Sequence, residues 1–311
     1  METMMAITVL QRKAAGRGKW QALGCLLLVG ILLALSFVVA KLADAAGAPR
    51  LSFLVVAMLG TGSLLMGVAW WQRQSISLTQ RTLEYAAVSG MLFALPNAIG
   101  FLAVRHVGAG FVSLSFAFPI LVTWFLAVML KLEPLRLARL FGVLLGLSGG
   151  ILVALDKTSG TENSWGWAAI VLAMPIIIAT GNLYRTLRWP PDTSPGYLAA
   201  LMMFGGAASL LPFVLVFEPG QAIELLHSMA MLRLLILEIG IFTVLYLFYF
   251  LLQKLAGPVY FSQIGTIAAL IGTFIAILGL GEDVPNHLGP AAILIVLGTV
   301  LFHLRDRSKA T

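Results

Sequence analysis

The stretches Phe101-Leu102-Ala103-Val104-Arg105-His106-Val107-Gly108 and Phe250-Leu251-Leu252-Gln253-Lys254-Leu255-Ala256-Gly257 lie 149 residues apart and share Phe, Leu, a basic residue and Gly in constant register. The register extends without a gap over 83–155 and 232–304. It sets Ser113 on Ser262, Leu121 on Leu270, Phe125 on Phe274 and Ala127 on Ala276, with Phe111 opposite Tyr260. Glu133 falls on Glu282 and Gly149 on Gly298. Two unrelated apolar helices match some Leu and Ala by chance, but not Gly, Ser, Glu and Arg/Lys in one register. A shift of about 145 lays 20–42 on 165–187. The chain therefore reads as two related halves.

What those halves are made of follows from composition. Of 311 residues, 60% are hydrophobic and only 11% charged, against about a quarter charged in a soluble domain. Such a chain cannot cover a water-facing surface, so its solvent is lipid. About 20 apolar residues cross a bilayer as a helix, which gives ten candidate spans: 20–42, 50–71, 83–104, 107–130 and 139–155, then 165–187, 194–216, 231–252, 256–280 and 288–304. Residues 1–19 and 305–311 are a leading segment and a tail, and 20–155 and 165–304 are the two repeats. Trp20, Trp70, Trp71, Trp165 and Trp189 fall near span ends, where amphipathic rings favour the interface. The segment Gln221–Met229 is expected to form a short interfacial helix.

With the N-terminus inside, fifteen of the 20 Lys and Arg fall on the cytoplasmic side, Arg185 and Arg188 among them, and five outside. That bias places both termini in the cytoplasm and accounts for the net charge of +7 without nucleic acid. A secretory leader ending near Ala45-Ala46-Gly47-Ala48 is disfavoured, because the apolar run exceeds the 7–15 residues of a leader core. Cys25 stands alone in an apolar run and reads as packing.

Five spans per half is an odd number, so the second half enters the membrane in the opposite sense. Antiparallel halves related by an axis in the membrane plane recur in secondary transporters, because exchanging the conformations of two similar halves turns an inward-open cavity outward. Gly108, Pro119, Glu133-Pro134, Gly142 and Gly149 resemble one repeat of the EamA group of the drug/metabolite transporter superfamily. Gly257, Gly281-Glu282 and Gly298 resemble the second copy, and Ser36-Phe37-Val38-Val39-Ala40-Lys41 is similar to the family's first-helix ending. Leu132 stands where the family usually has glycine. The resemblance implies ten helices, a central cavity walled mainly by spans 1, 3, 4, 6, 8 and 9, and often metabolite export. It places the chain in a bacterial cytoplasmic membrane.

Candidate cavity residues come from polar side chains at helical spacing. Ser89, Phe93 and Asn97 share one face of the third span, and Glu238, Phe242 and Tyr246, with Tyr249 one turn on, occupy the matching positions of the eighth. Lipid-facing stripes would be Leu, Ile and Val. Glu238 is the only acid well inside a span, and an intramembrane acid faces a cavity or a partner. It reads either as a site for a proton or a substrate ammonium, or as a neutral Glu joining helices or paired with Arg233. Asn97 follows Pro96, which frees a backbone carbonyl. Asn182 and Tyr184 follow Pro175 and Gly181, and Ser36 is the counterpart of Gly181. Gln263, Tyr260, Ser262 and Thr266 in the ninth span, and Ser113, Ser115, Phe116 and Phe118 in the fourth, complete the polar and aromatic candidates. Gln263 reads as a ligand or gate contact. The Ser and Thr hydroxyls more often bond the preceding turn.

The scattered His106, His227, His287 and His303 make no metal-ligand cluster, and no phosphate-binding glycine-rich loop is present. No cofactor and no catalytic constellation is expected. The functional expectation is a secondary transporter of a small amphipathic metabolite, such as an amino acid. Proton-coupled efflux of cationic or hydrophobic compounds, or a flippase or scaffold subunit, are the alternatives. Oligomeric state, as monomer or homodimer, stays open. A multivalent anion as substrate needs more buried cations than the sequence displays.

Overall fold

The computed structural model describes residues 2–74, 76–115, 118–132, 135, 137–155, 165–268, 271, 275 and 288–304. Every regular element among them is helical. This follows from the solvent, since a segment in hydrocarbon must satisfy its own backbone. In order they are α1 (Glu2–Ala45), α2 (Arg50–Trp71), α3 (Gln80–Ser115), α4 (Pro119–Met129), α5 (Leu137–Leu155), α6 (Trp165–Leu187) and α7 (Pro195–Phe217). A 3-10 turn (Gln221–Ile223) and the single-turn α8 (Glu224–His227) lead into α9 (Met229–Phe261), a helical turn at 264–268, and α10 (Leu288–Leu304).

Among the described residues, five segments are long and apolar enough to cross a membrane: Trp20–Ala45, Arg50–Trp71, Ala169–Leu187, Pro195–Phe217 and Met229–Phe261. Their outer faces carry large apolar side chains such as Leu64, Leu215 and Ile236 in the open. Trp20, Trp70 and Trp71 are 75%, 75% and 81% exposed. Apolar surface on this scale belongs against lipid. The chain is an all-helical, multi-pass membrane protein.

Helix ends are set by local chemistry. Gly47 turns the chain with a φ of +81°, and Pro49 caps α2. The orphan N–H groups at the start of α2 are satisfied from far away: Leu51 and Ser52 donate to the Glu218 carboxylate at 2.9 and 2.7 Å. At α7, Ser194 accepts from the Tyr197 N–H and Pro195 takes the first helical position, as its missing N–H permits.

Helix contacts come in sets related by the two sequence shifts. α1 packs on α9 as α6 packs on α3; α2 touches α9 as α7 touches α3; α5 packs on α10 and α2 on α7. The correspondence reaches single residues. A Cβ on Gly205 of α7 would strike the backbone carbonyl of Ala86 in α3, and one on Gly90 would strike the α7 backbone at Gly205 and Gly206. Shifted by 145, Gly205 becomes Gly60 of α2; shifted by 149, Gly90 becomes Ile239 of α9. The Ile239 side chain fills the space over Gly60. Small residues at such crossings let helices approach closely in lipid.

Two expectations change. The turn expected between 104 and 107 does not form, and α3 continues to Ser115. At the matching place in α9 the helix does break, at Gly257 with φ 75° and ψ 174°. The difference lies in the next residue: Pro258 pushes Gly257 out of the helical region, whereas Ala109 leaves Gly108 free to stay helical. The interfacial segment is only a 3-10 turn and one α turn, ended at Ser228, which caps α9. Residues Phe116, Glu133, Pro134, Gly281, Glu282 and His287 lie outside the described residues, as do the side chains of Arg105, His106, Ser113, Ser115 and His303.

Gly205→Ala is expected to lower the thermal unfolding midpoint of the detergent-purified protein by forcing α3 and α7 apart, at a cost of about 1–3 kcal/mol. Gly240→Ala, where the added methyl meets nothing within 4 Å, should leave the midpoint unchanged or slightly raised. Equal responses would mean that the α3–α7 approach is not a constraint on stability. Gly257→Ala adds no clash but retains a conformation that L side chains avoid, and should cost about 1–3 kcal/mol in the same assay.

Candidate functional site

Two polar centres occupy different levels of the bundle. The first is built around Glu238, ten residues into α9 and 3% exposed. Ser36 of α1 donates its hydroxyl to Glu238 Oε1 at 2.6 Å, and Oε2 has no partner among the described residues. Arg233 is exposed and does not pair with it. A cavity of about 30 Å³ opens here, walled by Ser36, Ala40, Asn97, Glu238, Phe242 and Tyr246, with Phe53, Leu54 and Ala57 of α2 behind. That volume is enough for about one water molecule. A metabolite enters only if the walls part.

Asn97 reaches this cavity, but its amide also donates to the Phe93 carbonyl one turn back at 2.7 Å. Phe93 stands edge-on to Tyr246 with centroids 5.1 Å apart, and Phe242 meets Tyr246 in the same way at 5.1 Å. Four of the expected side chains on α3 and α9 thus converge with Glu238. Ser89 does not join them: it is fully buried and donates to the Tyr85 carbonyl on its own helix. This is the usual habit of a Ser in an apolar helix, and Tyr85 carries that face instead.

The second centre lies toward the C-terminal ends of α6 and α9, and its principal residue escaped the sequence reading. Arg185, placed there among the cytoplasmic-side cations, is 2% exposed and folds back into the bundle. Its Nη2 donates to Asn182 Oδ1 at 2.7 Å and to the Tyr249 hydroxyl at 2.9 Å, and its Nε donates to Gln253 Oε1 at 3.3 Å. Gln253 in turn donates to the Asn182 carbonyl at 2.9 Å and to the Thr186 hydroxyl at 3.0 Å. Asn182 reaches Thr123 of α4 at 3.5 Å. The signal that could have found Arg185 is its spacing: three residues after Asn182, on the same helical face.

Tyr184 points away from both centres, with its hydroxyl donating to the Glu84 carboxylate at 3.3 Å near the exposed Arg188. Gln263 is buried on the turn after Phe261, and neither end of its amide has a partner among the described residues. It does not line the Glu238 cavity. Ser262 bonds the Val259 carbonyl at 2.7 Å, a local contact. Phe118 caps α4 and packs with Trp124.

Aromatic rings join the two centres. Tyr246 contacts Tyr249 at 5.5 Å, and Tyr249 meets Phe261 at 4.2 Å. Along α9, Tyr249 and Gln253 stand 11 and 15 residues beyond Glu238, or about 16 and 22 Å. One centre is acidic and the other basic. Among the described residues no group of His, Cys, Asp and Glu could hold a metal ion.

A solved crystal structure 17% identical in sequence superposes on 90% of this chain and 98% of its own, with a TM-score of 0.70. Likeness at that identity is likeness of fold. No family model matches the chain, and no curated protein matches it significantly.

The Ser36–Glu238 bond is testable by a double-mutant cycle with Ser36→Ala and Glu238→Gln in thermal unfolding. A coupling of about 1–3 kcal/mol is expected for a buried hydrogen bond to a carboxyl group. Additive single effects would mean that the two side chains do not bond.

Proposed function

We propose that the protein is a secondary transporter that moves a small amphipathic metabolite, such as an amino acid, by alternating access between two inverted five-helix halves. The observation that carries this reading is the matched packing of the α1–α9 and α6–α3 pairs, beside two polar centres of opposite character, Glu238 with Ser36 between α9 and α1 and Arg185 with Tyr249 and Gln253 between α6 and α9. Ten spans, both termini in the cytoplasm and membership of the EamA group belong to the same proposal. The sequence register and the paired contacts at Gly60–Ile239 and Gly205–Gly90 support the two related halves, and the EamA assignment rests on the sequence resemblance. The rule that places most Lys and Arg inside supports the cytoplasmic termini. A bacterial cytoplasmic membrane is the proposed location, and export the proposed direction.

The mechanism needs the Glu238 cavity to widen on one side as the Arg185 centre closes on the other. At about 30 Å³ the cavity holds no metabolite until its walls part. Phe93, Phe242 and Tyr246 supply faces and edges for an apolar side chain or ring, and Glu238 Oε2 supplies an unpaired acceptor for an ammonium. That same oxygen beside two aromatic rings favours one second reading, proton-coupled efflux of organic cations.

Counterflow into liposomes holding the purified protein tests the proposal, with amino acids, organic cations and nucleosides and with or without a pH gradient. Exchange of one class is expected, reduced about ten-fold or more in Glu238→Gln and weakened in Asn97→Ala. Amino-acid exchange that survives Glu238→Gln while cation exchange is lost would select the efflux reading. No exchange in any class would count against a carrier of these solutes.

A further inference from the structure

Arg185 is the largest fully buried side chain among the described residues. A guanidinium keeps its charge in any protein environment. Its partners Asn182, Tyr249 and Gln253 are all neutral, and among the described residues no carboxylate lies in ion-pair range. The acid at this end of the bundle, Glu84, instead faces the exposed Arg188 at 3.8 Å and the Tyr184 hydroxyl. A buried charge without a counter-charge is costly, and three hydrogen bonds to neutral oxygens do not remove it.

The unused part of the guanidinium has a direction. Among the described residues Nη1 has no partner, and a Cβ on Gly181 would lie 3.1 Å from it. The absent side chain at Gly181 lets that nitrogen lie close against the α6 backbone. From α3, the Tyr85 hydroxyl is buried and also without a partner among the described residues, and the Tyr85 ring stands 6.0 Å from that of Tyr184, the neighbour of Arg185 in α6. One surplus positive charge with two unused donors is the complement of a monovalent, two-oxygen anion. A doubly charged phosphate would replace an excess positive charge by an excess negative one.

We propose that Arg185 Nη1 and the Tyr85 hydroxyl form a carboxylate-binding station between α6 and α3, separate from the Glu238 cavity. The sequence set aside a multivalent anion for want of buried cations; a single carboxylate needs only the one that Arg185 supplies. Tyr249 and Gln253, which hold Arg185, lie about 16 and 22 Å along α9 from Glu238. The station would take the carboxylate of an α-amino acid, and Glu238 its ammonium. That the bound carboxylate belongs to the cargo rests on the carrier reading; the binding itself does not.

The test is thermal unfolding of the full-length protein in detergent, titrated with acetate and benzoate against acetamide, benzamide and chloride at matched ionic strength. Saturable stabilisation by a carboxylate but not by its amide or by chloride is expected. Arg185→Gln should raise the half-saturating concentration on the order of ten-fold or more, and Tyr85→Phe less. If Arg185→Gln does not fold, Gly181→Ala carries the test by crowding Nη1 while keeping the charge, and should also weaken the response. Stabilisation no greater than that of chloride, or equal responses from wild type and these variants, would overturn the station. Carboxylate binding that depends on Arg185 in a protein showing no counterflow would keep the station and remove the carrier. Counterflow of a carboxylated solute at the wild-type rate in Arg185→Gln would keep the carrier and overturn the station's role in it.

Discussion

Inside a hydrocarbon layer a polar atom can bond only to protein, and each polar side chain of this bundle is placed under that constraint. Ser89 and Ser262 turn back to carbonyls on their own helices. Glu218 spends both oxygens on the opening N–H groups of α2. Arg185 gathers Asn182, Tyr249 and Gln253 around itself. Among the described residues, the buried groups left unsatisfied include Glu238 Oε2, Arg185 Nη1, the Tyr85 hydroxyl and the whole Gln263 amide, along with the Ser52 and Thr61 hydroxyls and the Trp124 indole N–H.

The helices that hold these groups are brought together by small residues rather than by oily ones, since lipid competes with any apolar contact. Gly90 and Gly205 let α3 and α7 meet backbone to backbone. At the matched crossing Gly60 accepts the Ile239 side chain. One crossing is therefore tighter than its counterpart, and the bundle departs from equivalence where a single side chain differs. The same holds at the two polar centres, where Ser36 bonds the acid in one and Gly181 lets the cation pack against the backbone in the other.

A break in one long helix shows how narrow the margin between the halves is. Gly108 and Gly257 occupy the same register, yet only the second leaves helical geometry. Pro258 makes the difference, through its clash with the residue before it. Proline effects of this kind are local, but periodicity does not reveal them.

Much of the fold was legible in the amino-acid order. Lipid as solvent, helices throughout the described residues and the limits of α2, α6, α7 and α10 follow from apolar run length, because a helix in hydrocarbon needs no partner to satisfy its backbone. Glu238, Phe242, Tyr246, Phe93 and Asn97 were recognisable as one face, because helical spacing alone places residues four apart together. Arg185 was not, because a charge near a helix end reads as exposed until the neighbouring helices are in place. Whether a long side chain leaves the bundle or folds back into it depends on what α3 and α9 present there. Tyr85, Tyr249 and Gln253 are brought to it by the packing of helices distant in sequence, and only the tertiary structure decides that.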